Sequence, residues 1–305
     1  MTQALVTGGA GFIGSHVVDV LLQQGFDVAI LDVLSTGRKE NVHPKAKAFY
    51  MDLRSPDLGK VLREVRPARV FHLAAQSSVV VSTREPVLDA DVNVVGTANL
   101  LRACVDANVE KVVFASSGGT VYGDPTILPC PEGHPLQPTS PYGASKVAGE
   151  MLLRAFHASY GLNTTALRLA NIYGPRQDPN GEAGVIAIFG ARMLKGQPVT
   201  IFGSGEAERD YVYAQDVARA FFLASNEPGM HEYNVGCGQG TSVNQLFEIM
   251  AKTVGYTMKP IHDAPRPGEV FKTALDSTRL QKQLNWRVQV PLAEGIRKTL
   301  DSLRG

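Results

Sequence analysis

One feature near the start of the chain narrows its fold more than any other. The apolar run ALVT (Ala4–Thr7) leads directly into GGAGFIG, and Ile13, Val17, Val20 and Leu21 follow at helical spacing before Gly25. This is the pattern of a strand, a tight glycine turn and a helix. Gly9, Gly11 and Gly14 satisfy G-x-G-x-x-G, and Gly8, Gly11 and Gly14 satisfy the related G-x-x-G-x-x-G. In a chain this rich in glycine about 0.3 such matches arise by chance, so the motif alone is weak. Its place is what argues. At the first strand-to-helix turn, glycine lets the backbone turn sharply and approach a pyrophosphate, whose charge meets the helix N-terminus.

The grammar then repeats. DVAILD (Asp27–Asp32), AFYMDL (Ala48–Leu53), RVFHLA (Arg69–Ala74), KVVFASS (Lys111–Ser117) and TTALRLA (Thr164–Ala170) read as short strands. Most lack polar alternation, as strands buried on both faces do. Helical patterns lie between them, one from about Val87 to Ala107 and one from Pro141 to Tyr160. Strand–helix alternation of this kind predicts an α/β fold, a doubly wound parallel sheet of the Rossmann type.

After residue 170 the pattern changes. NIYGPRQDPNGEAG (Asn171–Gly184) reads as a long loop, the kind that carries function. A helix near Val185–Lys195, a strand VTIF, the segment RDYVY, a helix over Asp216–Ser225, a strand YNVG and helices from Val243, Ser277 and Leu292 follow. We expect residues 1–170 to form a dinucleotide-binding domain, with a return segment at about 211–235. Residues 171–210 and 236–305 would form a smaller mixed α/β substrate domain over the carboxyl edge of the sheet.

Composition excludes other classes. Lys+Arg (30) and Asp+Glu (29) nearly cancel, and no basic stripe appears, which argues against a nucleic-acid or anionic-membrane partner. Cys104, Cys130 and Cys237 are far apart, giving neither a disulfide framework nor a zinc site. The start has no signal-peptide pattern, and no apolar run reaches the roughly 18 residues of a membrane span. The expectation is a cytoplasmic protein with no metal.

Asp32 ends the second strand, where a carboxylate accepts from an adenosine ribose and repels a 2′-phosphate, favouring NAD over NADP; Arg38 nearby argues weakly the other way. Asp52 suits an adenine amino group or simply a surface strand end. His72, inside an apolar strand, reads as packed rather than catalytic. Tyr142 and Lys146 stand four apart in SPYGASK, just inside a helix with Ser140 as N-cap and Pro141 at its first position. At the carboxyl edge of the sheet such a pair suits proton transfer, because an ammonium one turn away favours the phenolate.

Together TGGAGFIG, Asp32, SSGGTVYG, SPYGASK, NIYGPRQ and RDYVY resemble, in order and spacing over nearly the whole chain, the extended short-chain dehydrogenase/reductase family, nearest its UDP-glucose 4-epimerase-like members. The resemblance implies NAD-dependent C4 epimerisation of a UDP-hexose: Tyr142 takes the 4-hydroxyl proton as hydride leaves C4, and the 4-keto sugar is reduced on its other face. It implies NAD contacts at Gly8, Gly11, Phe12, Ile13, Gly14, Asp32, Asp52, Leu53, Leu73, Ala74, Ala75, Asn93, Tyr142 and Lys146. Asn93 would orient the end of the fifth strand or merely occupy a helix surface. For the UDP-sugar it implies Asn171, Arg209, Arg266, Glu269 and Thr273, the two arginines suiting a diphosphate. Arg209 has an alternative in pairing with Asp210, and Arg266 in a merely structural Pro/Gly turn. A homodimer is implied as well.

Two departures matter. Gly118 occupies a position where many family members carry Ser or Thr, so the bridging hydroxyl must come from Ser117 or, second, Thr120. Gly119 and Thr120 stand where the family's 4,6-dehydratases place an Asp–Glu pair, which disfavours dehydration. A uronate epimerase or decarboxylase, or a non-catalytic NAD-binding module, remains open. Thr273, small where some relatives have tyrosine, would leave room for an N-acetyl group.

Overall fold

A computed structural model describes residues 2–181, 184–265 and 270–304. Strand β1 (Gln3–Thr7) passes through the glycine turn into α1 (Phe12–Gln23), then β2 (Asp27–Asp32), β3 (Lys47–Tyr50), α2 (Leu58–Val65) and β4 (Arg69–His72). Helices α3 (Val79–Arg84) and α4 (Pro86–Ala90) lead through a wide π-type turn (Asp91–Val95) into α5 (Gly96–Asp106). Strand β5 (Lys111–Ser117) runs straight into the one-turn α6 (Gly118–Val121), and α7 (Pro141–Tyr160) precedes β6 (Asn163–Leu169).

The second part holds β7 (Asn171–Tyr173), α8 (Val185–Leu194), β8 (Thr200–Phe202), β9 (Glu208–Arg209), β10 (Tyr211–Tyr213), α9 (Ala214–Ala224) and β11 (Met230–Val235). It ends with β12 (Thr241–Ser242), α10 (Val243–Val254), β13 (Ile261–Asp263), α11 (Thr278–Leu284) and α12 (Leu292–Leu303). Among the described residues the main sheet has seven strands in the order β11-β6-β5-β4-β1-β2-β3, every neighbouring pair parallel. Short two-stranded pairings, β10 with β7, β12 with β9 and β13 with β8, lie outside it.

Successive strand side chains point to opposite faces, so both faces of a covered sheet must be apolar. Val6, Ile30, Phe71 and Val113 pack with Val17, Leu21, Val217 and Phe221 of α1 and α9 on one side. Leu5, Leu31, Val70, Val112 and Phe114 pack with Leu58, Leu62, Leu100, Cys104 and Leu153 of α2, α5 and α7 on the other. A separate core holds the second part together, built from Ile186, Phe189 and Met193 with Ile201, Leu246, Met250, Ile296 and Leu300.

The doubly wound parallel sheet expected from the sequence is present. Several boundaries differ. The strand expected over Ala48–Leu53 stops at Tyr50, because the Asp52 carboxylate accepts from Arg54 N at 2.8 Å and Ser55 N bonds Asp52 O, closing a turn. The fourth strand ends at His72, two residues early. The expected helix from Val87 to Ala107 is present, running unbroken from Pro86 to Asp106 and widened by the π-type turn at Asp91–Val95, and the loop expected from Asn171 begins with β7, paired to β10. That pairing spans residues far apart in sequence, so no local pattern announces it.

An ion pair is buried where β5, β6 and α7 meet. Glu150 accepts from Arg168 Nη2 at 2.7 Å and Nε at 3.0 Å, and from Ser116 Oγ at 2.5 Å; the two charged side chains are 1% and 4% exposed. Glu150→Gln keeps the shape but leaves Arg168 without its counter-charge, and is expected to cost about 3–5 kcal/mol in denaturant unfolding.

Candidate active site

The turn after β1 is built for close approach. Gly8 has φ +70°, and a Cβ there would stand 2.7 Å from Ala74 N; one on Gly14 would stand 2.0 Å from Gly8 O. Side chains are therefore excluded at both, and β1, the end of β4 and α1 close together. The N-cap position, Gly11, offers no side-chain cap, so the first N–H groups of α1 remain available to an anion. Phe12 and Ile13 are half-buried beside it. Asp32, 7% exposed, accepts from Ala10 N at 3.0 Å and Leu34 N at 2.8 Å, which fixes its carboxylate next to the loop. This glycine cradle with a fixed carboxylate at the end of β2 fits the adenosine diphosphate half of NAD.

Other expected cofactor residues are placed less uniformly. Leu73, Ala74 and Ala75 line the segment after β4, where Ala74 N donates to Thr7 Oγ1 at 3.2 Å. Leu53 is buried in the core, and the Asp52 carboxylate is gripped by Arg54 Nε (2.9 Å) and Nη2 (2.7 Å), which holds it below the usual carboxylate range. His72 is packed as expected: it bonds Thr7 Oγ1 at 2.8 Å and Thr97 Oγ1 at 2.9 Å, and burial lowers its pKa to about 3. Asn93 corrects its expectation. It is 3% exposed, and it clamps Gln76, accepting from Gln76 N at 2.8 Å and donating to Gln76 O at 2.9 Å. It therefore orients the segment after the fourth strand rather than the end of the fifth, because the π-type turn aims it inward.

Tyr142 and Lys146 lie in the first turns of α7, whose start is fixed as expected: Ser140 Oγ accepts from Gly143 N at 3.1 Å, and Pro141 is the first helical residue. Lys146, 3% exposed, donates to Ala115 O at 3.0 Å, and its Nζ lies 5.6 Å from the Tyr142 ring centre. Burial lowers Lys146 to about 8, opposed by the negative charge of Asp89. Burial raises Tyr142 to about 12; Asp89 adds to the rise and a hydrogen bond from Ser117 opposes it.

Ser117 ends β5 on the Tyr142 side and favours its phenolate. A Cβ on Gly118 would fall 2.4 Å from Leu275 Cδ1 and 3.3 Å from Arg168 O, so the serine or threonine of many relatives would require Leu275 to shift. Thr120 sits one turn on, its hydroxyl donating weakly to Ser117 O at 3.4 Å. It lines a cavity of about 240 Å³ with Val79, Thr83, Gly119, Gly123, Thr139, Ser140 and Val270. No carboxylate is among these residues.

The expected sugar-nucleotide residues come from the second part. Asn171 is exposed on β7, with its N–H on Asp210 O at 2.9 Å. Asp210 accepts from Cys237 N, Gly238 N and Leu275 N, while Arg209 Nη1 donates to Glu208 O at 2.9 Å. Thr273, 8% exposed, bonds Glu208 O through its N–H, and its hydroxyl has no partner among the described residues. Arg209 and Thr273 are brought together by Glu208, and Leu275 carries this strap onto Gly118. Arg266 and Glu269 lie outside the described residues. Sequence reasoning missed Gln76 and Asp89; the signal was there in Asp89 and Asn93, a polar pair four apart in a helix.

A family model described as GDP-mannose 4,6 dehydratase matches residues 5–299. UDP-glucose 4-epimerase from Mycolicibacterium smegmatis is 47% identical over 308 residues, covering 99% of this chain and 98% of that protein. The chain belongs to the extended short-chain dehydrogenase/reductase family, among its UDP-glucose 4-epimerase-like members. The crystal structure of UDP-glucose 4-epimerase with UDP-glucose from Thermotoga maritima superposes with a TM-score of 0.97 at 46% identity, covering 99% of this chain and 98% of that one. The Thermus thermophilus UDP-glucose 4-epimerase in complex with NAD gives 0.94 at 47% identity, with 99% of each chain covered. Family membership makes the chain an enzyme, an isomerase whose cofactor is NAD. In such a protein Gly14→Ala forces the loop apart at Gly8 O; the purified variant is expected to keep its far-ultraviolet dichroism and to lose the NAD that acid releases from the wild type.

Proposed function

We propose that this chain epimerises C4 of a UDP-hexose, UDP-glucose and UDP-galactose being the expected pair, with Tyr142 as the proton-transfer group. The observation that carries the reading is the placing of Tyr142 and buried Lys146 one helical turn apart at the start of α7, with Lys146 Nζ on Ala115 O and 5.6 Å from the Tyr142 ring centre, beside a cradle that fits NAD. When bound, NAD supplies the reversible hydride acceptance that makes a 4-keto sugar accessible.

The chain's own residues do the rest. Ser117, donating to the Tyr142 oxygen, stabilises the phenolate and offers a second contact to the sugar 4-hydroxyl. The Lys146 ammonium favours the same phenolate through space. Burial of Lys146, with Tyr142 half-buried beside it, limits water and strengthens these interactions. Tyr142 then takes the hydroxyl proton and later returns it, so one residue serves as base and acid. We read residues 171–210 and 236–305 as the part that holds the sugar nucleotide, with Asn171, Arg209, Arg266 and Glu269 on its polar groups.

Dehydration is disfavoured although the matching family model describes a dehydratase. Eliminating water across C5 and C6 needs an acid and a base near the sugar, and the two positions after Gly118 where dehydratases place a carboxylate pair hold Gly119 and Thr120. We further propose a homodimer, supported by apolar side chains left exposed on α3, α4 and α7, Val80, Val87 and Met151 among them. A cytoplasmic location accords with the free cysteines Cys104, Cys130 and Cys237. Among the described residues no helix is long and apolar enough to cross a membrane.

Proton NMR of UDP-galactose with the purified protein is expected to show growth of the UDP-glucose anomeric signal. A new 6-deoxy methyl signal overturns the reading in favour of dehydration, and turnover of UDP-glucuronate alone overturns it in favour of a uronate enzyme. Tyr142→Phe is expected to lower kcat by about 10²–10⁴-fold while NAD stays bound. Thr273 is small where some relatives have tyrosine and would leave room for an N-acetyl group, so UDP-N-acetylglucosamine is expected to turn over as well; Thr273→Tyr should abolish that activity and spare the plain hexoses.

A further inference from the structure

Asp89 is a buried carboxylate to which the reaction as derived above assigns nothing. It lies on α4, 1% exposed, where α4 packs against α7. Its Oδ1 accepts from Gln76 Nε2 at 2.7 Å and from Asn93 Nδ2 at 3.1 Å. Among the described residues nothing hydrogen-bonds its buried Oδ2. A carboxylate oxygen left bare in the interior is costly unless a cation answers it.

A hydrogen-bonded path links Asp89 to the reacting helix. Asn93 Nδ2, which reaches Asp89, also donates to Ser145 Oγ at 3.1 Å, and Ser145 Oγ donates to Tyr142 O at 2.9 Å. The Asp89 charge raises the proton affinity of both Lys146 and Tyr142. The other charged groups around it are engaged or distant. Asp91, just past α4, holds Arg54; Glu150, further along α7, holds Arg168; His72 on β4, kept neutral by burial, sits between two threonines. Arg84 and Glu85, at the junction of α3 and α4, face solvent.

We propose that Asp89 is a positioning residue for the Tyr142–Lys146 pair: the buried counter-charge that keeps Lys146 an ammonium and thereby sets the pH window in which Tyr142 exchanges its proton. Burial draws Lys146 down to about 8 even with the Asp89 charge opposing it, and any second cation in the site would draw it lower. A negative charge fixed behind the pair offsets that pull. It does so at a distance, through the helix, without touching the sugar. This rests on the reading of Tyr142 given under the proposed function.

The test is Asp89→Asn in the NAD-bound protein. Asparagine keeps the oxygen that Gln76 and Asn93 use and removes the charge. Loss of a negative charge lowers the proton affinity of both neighbours, so both limbs of the pH profile of kcat move the same way. The two limbs, which belong to the coupled Tyr142–Lys146 pair, are each expected to shift about one pH unit lower. KM for UDP-galactose should change less than about twofold, as for an interaction that the substrate does not feel. Asp89→Glu, which restores the charge, should return both limbs toward the wild type.

A readout independent of turnover is the ultraviolet phenolate signal that Tyr142→Phe removes; it too should titrate lower in Asp89→Asn. Unmoved limbs with a reduced amplitude overturn the proposal and make Asp89 merely structural. Should Asp89→Asn fail to fold, Asp89→Ser is measured in the same way and judged by the same shift. Full turnover by Tyr142→Phe, in contrast, sinks the underlying reading of Tyr142 whatever Asp89 does.

Discussion

The ends of β1 and β4 are level at one edge of the sheet, β5 runs on beyond them to Ser117, and everything in the site hangs from that edge. Thr7 is in register with His72, and His72 with Phe114. A neutral His72 ties the arrangement together by bonding Thr7 on one side and Thr97 of α5 on the other. Because imidazole is held between two hydroxyls in the dry interior, it stays uncharged and the joint does not respond to ordinary pH changes. From this edge the glycine turn, the Ala74 segment and Ser117 all emerge within reach of one ligand. That is the general consequence of parallel strands whose connections cross on both faces.

Helix α7 is the second constraint, and its approach depends on a missing side chain. A Cβ on Gly149 would stand 2.7 Å from Phe114 Cζ, so only glycine lets the helix close on β5 at that level. The closeness brings Lys146 to Ala115 O and Glu150 to Ser116 on the same helix face. Three ionisable groups, Lys146, Glu150 and Asp89, are then buried around one helix, each under 4% exposed. Glu150 is neutralised by Arg168 and serves the fold. Lys146 and Asp89 are left to answer each other across Tyr142, which puts the electrostatic stress of the interior where the proton moves. Buried charge of this kind destabilises a fold unless paired, and its placement beside a reacting tyrosine follows the habit of functional sites.

Much of this was legible in the residues. The strand runs lacked alternation because both sheet faces are covered, and that absence itself signalled the parallel fold. Ser140 and Pro141 marked the start of α7 to the residue, because N-caps act through local geometry. His72 was rightly read as packed. What escaped was set by contacts between distant segments. β7 hid in a Gly/Pro-rich stretch because its partner, β10, lies far along the chain. Asp52 was legible as a carboxylate near a strand end, but not its capture by Arg54. Asn93 was noticed, yet the strand it serves was misjudged, since the π-type turn that aims it inward leaves no composition signal.

By itself, then, the sequence determined the doubly wound sheet, the glycine cradle and the Tyr142–Lys146 pair. Each of these rests on short-range rules: glycine at a turn, a cap, apolar runs, four-residue helical spacing. Only the tertiary structure decided what packs against Gly118, where Leu275, from a distant strap, takes the place of a side chain, and that Lys146 reaches back to Ala115 O. It likewise decided that Asp89 is buried with one oxygen bare. Burial and electrostatic coupling depend on what packs from elsewhere, and no local pattern in a sequence carries that information.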